Sequence, residues 1–282
     1  MRNKRKIFLL TVPVFIILFF SLLFQSNNKN ENMHEGLSKD LFLISTQNIY
    51  FGHRSVGENI LSGMKKIISE DTSSGLRITK LENLKYNGSR YFADSNIGKN
   101  GDPESKIKEF AGAVDSLSTL GLNLAMMKFC YVDITSSTDV NSVFNYYAGA
   151  IASLKRKHPG LTIINFTVPL TAQRSLYRKL VDLVKGNDSN NQADNAARNK
   201  FNELLKSQFP HDEIFDLAGI ESTYPDGKRN TEITDGKIVY YLVKDYSSDG
   251  GHLNERGQMV VAETLLKFLS GVIAKSETHA VN

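Results

Sequence analysis

From residue 48 onward, short β-rich runs alternate with amphipathic stretches, the pattern of βα units that assemble a mostly parallel sheet. "NIYFG" (48–52) predicts the first strand. A helix over 55–69 follows, because Val56, Ile60, Met64, Ile67 and Ile68 recur at helical spacing on one face. "LRITKL" (76–81) predicts a second strand, and the Gly-, Asn- and Asp-rich run through residue 102 predicts a loop. Pro103 suits the first turn of the next helix, where its missing N–H costs nothing. The run "LNLAMMKF" (122–129) is nearly all apolar, as expected of a strand covered on both faces. A helix over about 139–157, a strand over 161–168, a helix over about 193–208 and a strand over 213–217 continue the alternation. The last helix begins near Asn254, with Val261, Leu265, Phe268, Leu269 and Val272 on its buried face. The fold class is therefore α/β, a three-layer α/β/α sandwich around a flavodoxin-like five-stranded parallel sheet. Two segments interrupt the pattern. Residues 184–194 are polar and predict a long loop, and 229–243 carry Asp235-Gly236 between two β-prone arms, a hairpin signal expected to rim the site built by the loop after it.

Ahead of this domain stands "IFLLTVPVFIILFFSLLF" (7–24), without a charge and close to the ~20 residues of a spanning helix. Arg2, Lys4, Arg5 and Lys6 precede it, which favours an N-terminus kept in the cytoplasm and a body carried across the membrane. The rival is a cleaved signal peptide. The run is longer than the roughly 7–15 apolar residues of a signal, and "LLFQSNN" has no small-residue cleavage site, so an anchor is the preferred reading. The division is an N-terminal transmembrane segment over 1–24, a polar linker over 25–46, a domain over 47–275 and a tail over 276–282. The domain is expected outside the cytoplasm, at the cell surface or in the periplasm.

Composition changes this picture in three ways. At 282 residues and 41% hydrophobic content the chain supports one sizeable core. The formal charge of +4 is accounted for by the basic N-terminal tip, so the body is neutral and offers no clustered cations for nucleic acid. Cys130 is the single cysteine, which excludes an intrachain disulfide.

In an open parallel sheet, ligands collect at the carboxyl ends of the strands. Four loops qualify there: 52–57, 94–103, 129–138 and 245–254. The last, "DYSSDGGHLNERG", sets Asp249 three residues before His252, close enough for the carboxylate to take the ring N–H and orient the base that a nucleophilic hydroxyl requires. Asp249 in a turn beside an ordinary surface histidine is the plainer alternative. Ser55 has two readings as well. It could cap its helix, with Glu58 completing a capping box, or act as a nucleophile where the first helical amides help hold an oxyanion. The stretch "IYFGHRSVGENILSGM" does not decide between them. The six histidines are scattered, no H-x-x-x-H or cysteine pair occurs, and no metal set is visible. Cys130 reads as packing.

Taken together, the Ser55 segment, "NIGKNGD" and "SDGGHLNERGQMVVAE" resemble the SGNH/GDSL hydrolase superfamily over most of residues 47–272, and "ARNKFNELLKSQF…EIFDLAG" resembles the helix and strand ahead of its closing block. The resemblance implies Ser55 as nucleophile, His252 as base, Asp249 as its orienting acid and Gly101 as an oxyanion-hole glycine. Two departures stand out. The family's G-D-S is Gly52-His53-Arg54-Ser55 here, with the serine one place later, and Val132 replaces the asparagine of the third block. Arg54, His53 and Tyr131 are the nearby candidates to replace its amide. Asp133 is expected to organise its loop and His53 to line the pocket.

The resemblance implies an esterase or acyl hydrolase acting through an acyl-enzyme without a cofactor, on a small-molecule or glycan ester, held to the membrane by the N-terminal helix. An O-acyltransferase on the same triad and a catalytically weak binding protein are the alternatives.

Overall fold

A computed structural model describes residues 35–71, 73–174, 191–234 and 236–281. The expected membrane segment at 7–24 and most of the loop at 184–194 lie outside the described residues. Six strands form one parallel sheet: β1 (Ile49–His53), β2 (Ile78–Lys80), β3 (Phe92–Asn96), β4 (Leu124–Met127), β5 (Thr162–Phe166) and β6 (Ile214–Phe215), in the order β2-β3-β1-β4-β5-β6. Strand β1 lies between β3 and β4, where the order of connection reverses, so the loop leaving its carboxyl end opens into the crevice of the sheet.

Helices cover both faces. On one lie residues 35–45 (α1), α2 (Val56–Glu70) and the last helix, here α7 (Glu255–Val281); on the other lie α3 (Pro103–Ser118), α4 (Val140–Lys157) and α5 (Asn191–Gln208), with the short α6 (Leu217–Glu221) after β6. The period of two explains the division. Ile49 and Phe51 point into the layer of α2 and α7, while Tyr50 between them packs with Phe110 of α3 and Tyr147 of α4. Asp102 accepts from Ser105 N–H (3.0 Å) and Asp139 from Ser142 N–H (3.1 Å), so α3 and α4 start on capping carboxylates. Helix α7 is long and apolar enough to cross a membrane, yet Val261, Ala262, Leu265, Leu266 and Leu269 are fully buried, which identifies its apolar face as core.

Three expectations are corrected. The sheet has six strands, because β3 runs through the segment expected as loop: Asp94 at its centre is a charged residue tolerated there by ion partners on both neighbouring strands. The linker ends earlier than residue 46, since Leu41 and Ile44 of α1 are buried in the core. The tail from 276 continues α7 through Val281. The hairpin stands as expected, with β7 (Thr231–Thr234) antiparallel to β8 (Lys237–Tyr240).

Candidate active site

Ser55 follows β1 and opens α2, but its hydroxyl does not cap the helix. It is instead 2.6 Å from His252 Nε2, a contact spanning almost the whole domain. The backbone at Ser55 explains how. With φ 54° and ψ −109° it is the only non-glycine at positive φ among the described residues, and this turn lifts the side chain off the helix start. Such a conformation costs about 1–3 kcal/mol and persists only where the surroundings fix it.

The surroundings do so from below and from the side. Arg54 C=O accepts from Gly57 N–H (3.0 Å) and Ser55 C=O from Glu58 N–H (2.8 Å). His53 lies directly beneath the first turn of α2, so close that a Cβ on Gly57 would sit 2.5 Å from the His53 Cβ; only glycine allows that approach. Asn59, one turn along α2, accepts from Leu253 N–H (3.2 Å) and ties the histidine loop to the helix that Ser55 opens.

His252 is oriented from its other nitrogen. Its Nδ1 is 2.7 Å from Asp249 Oδ2, and Asp249 Oδ1 accepts the amides of Gly251 (2.9 Å) and His252 (2.8 Å). Burial pushes the Asp249 carboxyl up, but these amides and the imidazole outweigh it and hold the group down at about 2. An ionised Asp249 requires a proton on Nδ1, which leaves the Nε2 lone pair to accept the Ser55 hydroxyl. Tyr131 packs edge-on to the imidazole (ring centroids 5.7 Å, 72°), and its ring rests on Gly251, where an added Cβ would stand 2.8 Å from it.

The remaining expected residues fall differently. Gly101 is not an available oxyanion donor, because its N–H donates to Asp133 Oδ1 (2.8 Å). Asp133 organises the loop as anticipated: its Oδ2 takes the buried Lys106 ammonium (2.5 Å) and the Cys130 amide (2.6 Å). His53 is not a pocket residue either. It is fully buried and bonded through Nε2 to Asp94 (3.0 Å), whose same oxygen takes Lys80 (2.7 Å), while Lys80 also reaches Glu58 (2.8 Å). Burial pushes the Asp94 carboxyl up, but His53 and Lys80 pull it below the usual carboxylate range; burial holds His53 below the usual imidazole range despite Asp94. His53, Glu58 and Asp94 also bring three donor atoms within 4.8 Å of one another, a spacing that fits a metal ion. The Lys80 ammonium is the cation among them. Cys130 is buried, with its thiol on Arg54 C=O (3.4 Å), and acts as packing.

A cleft of about 480 Å³ opens beside Asp249, Gly250 and Gly251, with Tyr131, Gln173, Asn191 and Lys244 in its wall. Beneath its floor the buried Arg198 donates to Tyr131 C=O (2.8 Å), Ile134 C=O (3.0 Å) and Thr171 Oγ1 (3.0 Å), locking the loop after β4 against the segment after β5. Sequence reasoning missed Asn59, Asp94, Lys106 and Arg198. Only Asn59, four residues after Ser55 and so one turn up the same helix, carried a positional signal.

No protein-family model and no curated protein matches the chain. Among solved structures, the chain is similar to a lipase/acylhydrolase from Enterococcus faecalis, at 12% identity over 80% of this chain and 96% of that one, with a TM-score of 0.48. It is also similar to a carbohydrate esterase family 3 protein from Talaromyces cellulolyticus, at 12% identity over 81% and 97% of the two chains, with a TM-score of 0.44. Both scores are below 0.5, so the geometry around Ser55, and not these likenesses, carries the functional conclusion.

Proposed function

We propose that the protein is a serine esterase of SGNH/GDSL type that works through an acyl-enzyme. The single observation that carries the reading is the continuous line Asp249–His252–Ser55, with heavy-atom distances of 2.7 and 2.6 Å from residues 194 to 197 positions apart from the nucleophile. A structural serine at a helix start would use its hydroxyl as a cap, and this one does not.

In the proposed cycle His252 Nε2 takes the Ser55 proton as Oγ adds to the ester carbonyl. The imidazolium, held by Asp249, then returns that proton to the departing alkoxide and leaves the acyl group on Ser55. Water then adds to the acyl carbonyl as His252 takes its proton, and collapse of the second tetrahedral intermediate breaks the bond to Ser55 Oγ, which takes the proton back from His252 as the acid leaves. Of the three side chains only His252 changes charge, carrying the extra proton in each tetrahedral intermediate and losing it again, and Asp249 stays ionised throughout.

The wall of the cleft supports an ester of a hydroxyl-rich alcohol, such as a sugar. Gln173, Asn191 and Lys244 offer hydrogen bonds, Tyr131 offers an aromatic face, and among the described residues no leucine, isoleucine or phenylalanine lines it. The anchor at 7–24 and a domain outside the cytoplasm belong to the same proposal and fit an acylated surface glycan.

A fluorophosphonate probe tests the reading. Wild type labels covalently and hydrolyses p-nitrophenyl acetate, whereas Ser55→Ala does neither, with kcat lower by about 10⁶. Equal labelling of the two proteins, or none of wild type, ends the proposal.

A further inference from the structure

If Ser55 attacks a carbonyl, negative charge develops on an oxygen that needs donors on the side of Ser55 away from His252. Two expected donors are missing. Val132 carries none, and the Gly101 amide is held by Asp133, itself fixed by the buried Lys106 and the Cys130 amide. Of the amides at the start of α2, those of Gly57 and Glu58 already donate to Arg54 C=O and Ser55 C=O, so those of Ser55 and Val56 remain. They are weak on their own.

Arg54 supplies what they lack. Its side chain crosses to the β3 side of β1, where Nε donates to Ile97 C=O (2.9 Å), the residue just after β3. The histidine loop arrives from the other side: Gly250 C=O accepts from Ala172 N–H (2.8 Å), which lies beyond the end of β5. Strand β1 stands between β3 and the β4–β5 pair, so cation and base flank the nucleophile from opposite sides. One of the five guanidinium N–H groups is engaged by Ile97. The two terminal nitrogens have no hydrogen bond or ion pair among the described residues, and the residue is only half-buried, so none of the described residues commits them. A second fixed point holds the stem, because Arg54 C=O takes both Gly57 N–H and the Cys130 thiol.

We propose that Arg54 is a catalytic residue whose terminal N–H groups donate to the oxyanion of the tetrahedral intermediates. This rests on Ser55 as nucleophile. The guanidinium keeps its protons throughout and contributes hydrogen bonds and charge alone. It replaces a neutral amide by a cation.

The test is steady-state hydrolysis of the neutral ester p-nitrophenyl acetate by wild type and Arg54→Ala, with and without added guanidinium chloride at millimolar levels. We expect kcat to fall about 10²–10³-fold with KM within a few-fold, and guanidinium to restore part of the loss in the variant only. An unchanged kcat overturns the assignment, as does a loss confined to KM, or a loss that guanidinium leaves untouched while the melting temperature drops. Where Arg54→Ala does not accumulate, Arg54→Lys retains stem and charge but not the planar fork; a fall of about tenfold in kcat supports the assignment and parity with wild type overturns it. Wild type that hydrolyses the ester and labels at Ser55 while Arg54→Ala equals it removes Arg54 alone; wild type that does neither removes the nucleophile as well.

Discussion

Two histidine–aspartate pairs flank the start of α2, and their contrast shows what turns such a pair into a base. His252–Asp249 and His53–Asp94 have similar bonds, 2.7 and 3.0 Å. The first has side chains 36% and 56% exposed; both members of the second are at 0%. The first uses Nδ1 for its carboxylate and aims Nε2 at a hydroxyl, so in the proposed cycle the proton taken from Ser55 is stabilised by an anion that accepts two backbone amides and shares no cation with another side chain among the described residues. In the second, Asp94 is shared with Lys80, and the remaining histidine nitrogen, Nδ1, is buried with no hydrogen-bond partner among the described residues. Burial there holds the imidazole below its ordinary range despite the carboxylate beside it. The nearer histidine in sequence thus lies buried under the turn at Ser55, and the distant one is the base of the proposed cycle.

The largest expected effect separates the two carboxylates. Asp249→Asn forces His252 into the wrong tautomer and lowers kcat for p-nitrophenyl acetate by about 10⁴. Asp94→Asn leaves kcat within about tenfold and instead lowers unfolding stability by about 1–3 kcal/mol, because Lys80 and His53 lose their charged acceptor. Parallel kinetics and urea denaturation of the two variants check this. Comparable losses of kcat would erase the functional distinction between the pairs.

A smaller effect comes from the contact that joins the support to the nucleophile. Gly57→Ala places a methyl 2.5 Å from the His53 Cβ, so the first turn of α2 must shift and carry Ser55 with it. A displacement approaching 1 Å lowers kcat by about 10². Gly112→Ala is the control: it lies in α3 with nothing within 4 Å, and alanine there changes no kinetics and adds up to about 1 kcal/mol of helix stability. Kinetics of Gly57→Ala indistinguishable from wild type would mean that His53 does not position the turn.

Much of this architecture is legible in the chain itself. Five of the six sheet strands stand out because they are short β-rich runs between turn signals and amphipathic stretches, and Asp249 and His252 because three residues is the reach of a carboxylate to an imidazole. Strand β3 is hidden because its sequence, "FADSN", is apolar only at Phe92 and Ala93, and its register depends on partners from distant segments. The role expected of the Gly101 amide fails for a related reason. Its acceptor Asp133 is held by Lys106, a residue that reads as a surface lysine of α3 and is fully buried. Local pattern reports which residues face a core; it does not report which charges meet inside one. The capping-box reading of Ser55 fails likewise, since nothing within fifteen residues of Ser55 reveals that His252 competes for its hydroxyl.

The smallest expected effect is a pH dependence that the buried pair adds to the one both proteins share, to which the buried Glu221, pushed up to about 8, contributes with opposite sign. His53 is held below its ordinary value of 6.5 in the folded protein. As pH falls below 6.5 the unfolded chain takes up a proton at this position while the folded protein does not, so its contribution to stability, present above 6.5, is lost toward the lower folded value. Asp94 is also depressed, but its contribution persists down to its unfolded value near 4 and is lost only as pH falls further, through the folded value, outside the window between pH 7 and 5. His53→Gln keeps a donor for Asp94 and removes the titration. Urea unfolding at pH 7, 6 and 5 is therefore expected to show wild type losing more stability than His53→Gln over that interval, by at most one proton's slope of about 1.4 kcal/mol per pH unit. Equal slopes for the two proteins would place the acid sensitivity elsewhere, and a steeper slope in the variant would reverse the sign assigned to the buried imidazole.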